Sequence, residues 1–220
     1  MLHTTATSPR PHDLLFFGAQ ELQGPLPAWA TLDWLARAPA VVRRDSRHDA
    51  DVIPVGLRGA SRSERHRAWL PRRFVARCVT PEALAAAVAN GALADGFDLL
   101  PALQALQQLS PMLFDTGLAW GPGGGVGFAL ASGLPVLRSS SDLDLIVRAP
   151  RPLTAQQEST LQRLCAAAPC RIDLQVETGQ GAFAFAEWTR NRSGSSILLK
   201  TDAGPLLTDD PWRSAACLSV

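Results

Sequence analysis

SDLDLIV at residues 141–147 and RIDLQVE at residues 171–177 decide how this chain is read. Both are short apolar runs with acidic residues at alternating positions. In a strand, residues two apart point to the same face. Asp142 and Asp144 therefore project together, while Leu143 and Leu145 turn to the core. In the second run Asp173 and Gln175 share one face, and Ile172 and Leu174 the other. The intervening TAQQESTLQRLCAAA (154–168) has helical spacing. A helix crossing over lets the two strands lie side by side, so that three carboxylates meet on one open face. Asp142 and Asp144, roughly 7 Å apart along one strand, repel each other. A divalent cation between them removes that cost. Hard oxygen ligands suit Mg²⁺, which keeps water and substrate phosphate in its shell. One or two such ions support in-line attack on a phosphorus atom. Taken alone, an Asp-x-Asp strand is usually an exposed polar face, so the surrounding sequence has to carry the other reading.

Upstream, Leu118-Ala119-Trp120 runs into GPGGGVG (121–127). A glycine turn there, with Gly123, Gly124 and Gly125, wraps backbone N–H groups around phosphate oxygens. The run is not a Walker A loop, because no Lys-Ser/Thr follows, and it fails the G-x-G-x-x-G spacing. What is specific is the order: glycine turn, short segment, S-D-L-D-L, then a third aspartate on a later strand.

Working outward, Ala182 to Arg190 reads as helix and Ser196 to Leu199 as a last strand, ending at Lys200. Lys200 is the only lysine; on a strand end it faces either the triphosphate or, snorkelling, the solvent. Pro81–Asn90 and Pro101–Leu109 read as helices opened by proline. Before them, Ala28–Ala38 has helical spacing and 41–44 reads as a strand. Val52–Leu57 is extended, with Pro54 disfavouring a central strand. SRSERHRAWL (61–70) opens on a plausible N-cap and reads as a short basic helix, with Arg62, Arg65 and His66 on one face and Arg58 just outside. Such a patch clamps phosphates through Arg forks, or is simply a solvated face. His12-Asp13 suggests hydrogen bonding and nothing more. The first residues, through Ser8, read as a loose tail. These elements predict a mixed α+β chain: an N-terminal α+β domain over 1–75 and a larger catalytic domain over 76–220.

With 21 Lys+Arg against 20 Asp+Glu, no global field steers the chain to nucleic acid or membrane. No stretch has membrane-spanning length. The four cysteines form no CxxC or zinc-ligand spacing, which fits a reduced, cytoplasmic protein.

The order of glycine turn, Asp-x-Asp strand and later acidic strand resembles the polymerase-β-like nucleotidyltransferase superfamily. That resemblance puts Gly124 and Gly125 in the turn, Asp142 and Asp144 in the pair, and Asp173 as third carboxylate. Further segments are RPHDLL (10–15), IPVGLRGASRSERHRAWL (53–70), WGPGGGVGFALASG (120–133), GAFAFAEW (181–188), LLKTDAGPLL (198–207) and DPW (210–212). Over nearly the whole chain they are similar to the malonate decarboxylase holo-acyl-carrier-protein synthase family. The resemblance implies a phosphoribosyl-dephospho-CoA transferase, with triphosphoribosyl-dephospho-CoA as donor. The acceptor it implies is a serine of the acyl-carrier subunit of malonate decarboxylase, and the leaving group is diphosphate. Two positions depart from the family pattern. Gly124-Gly125 stands where Gly-Ser is usual, which removes a hydroxyl donor. Phe128-Ala129-Leu130 lacks the usual glutamate. The same fold acting on another triphosphate donor, or a non-catalytic nucleotide-binding module, are the competing readings.

Overall fold

The computed structural model describes residues 8–18, 21–46, 49–91, 100–191 and 195–214. It confirms a mixed α+β fold with two sheets, one in each of two units divided at Val79/Thr80. The expected tail falls almost wholly outside the described residues.

The N-terminal unit is an antiparallel sheet. Its strands are β1 (Leu14–Phe17), β2 (Ala40–Val42), β3 (Val52–Arg58), β4 (Arg65–Pro71) and β5 (Val75–Val79), in the order β4-β3-β2-β1-β5. One face is apolar: Leu15, Phe17, Val42, Val55, Leu57 and Leu70 pack with Leu35 of the short helix α1 (Leu32–Leu35). The boundary placed at residue 75 moves to Val79, because β5 pairs with β1 and completes this sheet.

Three local expectations are corrected here. The helix over 28–38 shrinks to α1, capped by the Thr31 hydroxyl accepting from the Trp34 amide and followed closely by Pro39. Residues 61–70 are not a helix. Residues 59–64 close a hairpin, with the Gly59 amide donating to the Glu64 carbonyl at 3.0 Å, and β4 then runs antiparallel to β3. Ser61, read as an N-cap, serves the loop instead: its amide donates to Glu64 Oε2 at 2.8 Å. From Arg65 onward the period is two, with Ala68 and Leu70 inward and Arg65, Arg67 and Trp69 outward. Finally, Pro54 does lie in an interior strand. Its carbonyl accepts from Arg43 just past the end of β2, so the N–H that proline lacks falls where that ladder has stopped.

The C-terminal unit holds β6 (Ala119–Pro122), β7 (Leu143–Arg148), β8 (Ile172–Glu177), β9 (Ala182–Ala184), β10 (Ile197–Thr201) and β11 (Gly204–Thr208), in the order β11-β10-β9-β8-β7-β6. Among the described strands only β7 and β8 are parallel. The crossover between them is α5 (Ala155–Ala167), started by a Thr154–Gln157 capping box. Leu161 and Leu164 of α5 are fully buried with Leu103 and Leu106 of α3 (Pro101–Asp115) against Leu143, Leu145, Val147, Leu174 and Val176. Each such leucine contributes roughly 1.5–3 kcal/mol of apolar burial. Helix α3 runs past its expected end at Leu109 despite Pro111; the bond that proline cannot make belongs to the turn of exposed Gln107. Helix α2 (Pro81–Ala89) matches its expected span closely. Residues 182–184 form β9, and only 185–190 are helical, as α6 (Phe185–Arg190). The α3/α5 layer thus buries one face of the sheet and leaves the aspartates on the other.

Candidate active site

Parallel pairing sets Asp144 directly beside Asp173 and Leu143 beside Ile172. Directly paired residues share a face, one strand spacing of about 4.8 Å apart. Both aspartates are half-buried. Asp142 lies one residue before β7, at the same sheet end, where the next amide, Leu143 N–H, donates to the Arg171 carbonyl at 3.0 Å. Cys170 adjoins this end. Burial raises its thiol pKa, the Leu143 amide lowers it, and the charge of Asp142 raises it again.

The glycine cluster is not a loop. Gly121 and Pro122 belong to β6, and Gly124 opens helix α4 (Gly124–Ser132), nine residues ending at left-handed Gly133. The cause is steric. Gly124 has φ +50°, and a Cβ there would collide with the carboxylate of Asp144. Gly123 donates its amide to the Asp144 carbonyl at 2.9 Å. A Cβ on Gly127 would stand 2.6 Å from the Pro122 carbonyl oxygen, so α4 also needs glycine to turn back onto β6. The first-turn amides of α4, which have no partner within the helix, therefore start beside the Asp144 side chain. A helix N-terminus next to a carboxylate offers N–H groups to phosphate and oxygen ligands to a cation.

Among the described residues, no three His, Cys, Asp or Glu side chains stand close enough to enclose a metal ion. Asp142, Asp144 and Asp173 thus share a sheet end without forming a closed ligand set. Mg²⁺ is usually held by one or two carboxylates and completed by substrate phosphates. The space that glycine leaves at 124 is where a side chain would have displaced the Asp144 carboxylate.

Lys200 is exposed on β10, paired with Ala182, which pairs with Glu177. It therefore lies on the aspartate face, but two strands across and four residues along from Asp173, roughly 16 Å by strand spacing and rise. The fold does not bring it to the aspartates. Arg58, Arg62 and Arg65 belong to the N-terminal unit: Arg58 and Arg65 are directly paired across the β3–β4 hairpin, and Arg62 is exposed in its loop. An ion cluster not anticipated from sequence closes the far end of β7 and β8. Arg148 Nε lies 3.1 Å from Glu82 Oε1, and Arg148 Nη1 lies 3.7 Å from Glu177 Oε2, with Glu177 5% exposed. The cluster ties α2 to the sheet. Its only sequence signal was charge ending an apolar strand, too common to be specific.

Two family models cover the chain. The phosphoribosyl-dephospho-CoA transferase MdcG N-terminal domain matches residues 10–81. The C-terminal domain of the same transferase matches residues 91–211. A protein of Azotobacter vinelandii named phosphoribosyl-dephospho-CoA transferase is 42% identical over 218 residues, 98% of this chain and 100% of that one. Proteins with the same name from Pseudomonas putida strain GB-1 (43%; 94% of this chain, 97% of that one) and Klebsiella pneumoniae strain 342 (41%; 94% and 98%) are similar throughout. No solved structure matches.

Proposed function

The chain belongs to the phosphoribosyl-dephospho-CoA transferase family, and from that premise we propose that it moves this group from triphosphoribosyl-dephospho-CoA to a serine of the acyl-carrier subunit of malonate decarboxylase in the cytoplasm. It is an enzyme, a transferase. Among the described residues no helix is long and apolar enough to cross a membrane.

The observation that carries the chemistry is the convergence of Asp144, Asp173 and the N-terminus of α4 on one sheet end. Asp142 and Asp144 are the carboxylates that would hold one or two Mg²⁺ ions, which would supply positive charge to the donor triphosphate. The acceptor hydroxyl oxygen forms a bond to the α-phosphorus, and the bond from that phosphorus to the departing diphosphate breaks. Asp173, in register with Asp144, either receives the hydroxyl proton or completes the ligands of a second ion. The amides around Gly123, Gly124 and Gly125 hold the diphosphate as its charge develops. The polymerase-β-like grouping rests on the same arrangement of glycine-opened helix and paired acidic strands.

The test is intact-mass measurement of the carrier after incubation with enzyme, donor and Mg²⁺. The expected gain equals phosphoribosyl-dephospho-CoA and vanishes on chelation. Asp142→Asn or Asp144→Asn lowers the rate by at least about a hundredfold while the melting temperature stays near wild type. Near-normal turnover in either variant removes the carboxylate assignment. A competent carrier that gains no mass removes this donor, and other triphosphates are then screened.

A further inference from the structure

The outward face of the β3–β4 hairpin carries a second feature, remote from the aspartates in sequence. A groove of about 240 Å³ is lined by Gln23, Gly24, Asp49, Val52, Pro54 and Trp69. Whole drug-sized ligands need roughly 300–1,000 Å³, so this groove has the size of one ring system. The Trp69 indole forms one wall. Arg43, ion-paired to Asp45 at 2.6 Å, lies 5.6 Å from the centre of that ring and braces it. Asp49 offers carboxylate oxygens, and Gln23 an amide that both donates and accepts.

From this groove a row of guanidinium groups leads along the same face. Pro54 pairs with Trp69, Gly56 with Arg67, and Arg58 with Arg65. Each step along the face is roughly 6.8 Å, so Arg65 and Arg58 stand about 13 Å from Trp69. Gly56 puts no side chain beside Arg67, which leaves the middle of the row open. Arg65 and Arg67 are exposed. The face therefore runs from a flat aromatic wall with a hydrogen-bond acceptor to a cationic ladder. Asp49 repels phosphate at the first end, and the arginines attract it at the other, which fixes the polarity of a ligand.

We propose that this face binds the adenosine diphosphate portion of a dephospho-CoA-type nucleotide, with adenine against Trp69 and its phosphates on Arg67, Arg65 and Arg58. The flat wall stacks the base, Asp49 accepts from the exocyclic amine, and the Arg forks match phosphate oxygens. A pantetheine arm alone would use neither the carboxylate nor the arginines. The identity of the physiological nucleotide rests on the donor reading given above; the adenine and diphosphate chemistry does not.

The experiment is calorimetric titration of the full chain with dephospho-CoA, ADP, inosine diphosphate and pantetheine, without metal. Dephospho-CoA and ADP are expected to bind, inosine diphosphate more weakly, since it carries a carbonyl where adenine has its amine, and pantetheine not at all. Trp69→Ala should weaken dephospho-CoA roughly tenfold or more, the size of one base–aromatic stack, while Trp69→Phe retains most of the affinity. Arg65→Ala combined with Arg67→Ala should weaken ADP about tenfold. Asp142→Asn should bind dephospho-CoA as wild type does. Unchanged dephospho-CoA affinity in Trp69→Ala, or unchanged ADP affinity in the double arginine variant, overturns the inference, as does binding lost in Asp142→Asn but kept in Trp69→Ala. Loss of carrier transfer with intact ADP binding would instead remove the donor reading and leave this site standing.

Discussion

Gly124 is the residue on which the site depends most directly. Its φ of +50° disfavours any L side chain, and a Cβ there would meet the Asp144 carboxylate. Gly124→Ala should cost about 1 kcal/mol in stability, from the backbone conformation, yet lower transfer far more by displacing Asp144. Parallel melting and carrier-mass measurements separate the two effects; equal losses in both would mean that Gly124 only supports the fold. The cysteines give a second check at this scale. Burial pushes the Cys165 thiol up to about 11, whereas Cys78 is exposed. At pH 8 only about one Cys165 in a thousand is thiolate, so iodoacetamide should label Cys78 long before Cys165. Peptide masses taken over time will read the order.

At the scale of elements, the Arg148–Glu177–Glu82 cluster binds α2 to β7 and β8 at the sheet end away from the aspartates. Arg148→Met leaves the buried Glu177 charge without this cation and should cost roughly 3 kcal/mol, read by denaturant unfolding, with little change in turnover per folded molecule. The β3–β4 turn has its own pH signature. The Ser61 amide, followed by the Ser61 hydroxyl, holds the Glu64 carboxyl below its ordinary 4.5. A depressed folded pKa contributes stability above the unfolded value and loses it as pH falls through the folded one. The acid limb of the hairpin's melting should therefore begin below pH 4.5 and flatten in Glu64→Gln. The same turn shows why sequence reading failed here and succeeded elsewhere. Ser61 with Glu64 three residues on is the local pattern of a helix cap, and only the alternation of Arg67, Ala68, Trp69 and Leu70 distinguishes the strand. In β7 and β8 the alternation, the crossover helix and the polar faces all agree, so the pairing of Asp144 with Asp173 was legible. The glycine run was legible as a turn but not as a helix start, because the need for glycine at 124 comes from the nearby Asp144 carboxylate, a contact between segments.

Across the whole molecule, positive and negative charge nearly cancel, so no long-range field draws a partner in. The kcat/KM for the carrier should therefore change little between low and physiological salt, while the KM for a phosphate-rich donor should rise as the arginines are screened. A steep salt dependence for the carrier instead would reveal a concentrated charged patch at its docking surface. The paired carboxylates, the opened helix and the bracing ion cluster share one sheet, and the nucleotide face lies on the other. Lys200, the single lysine, is exposed on the aspartate side of its sheet, roughly 16 Å from Asp173. The α-amine aside, it is the sole target for amine-reactive dyes and cross-linkers, so the protein carries a built-in attachment point. A fluorophore placed there sits level with Glu177 and reports on whatever approaches the sheet end away from the aspartates, with no engineered cysteine needed.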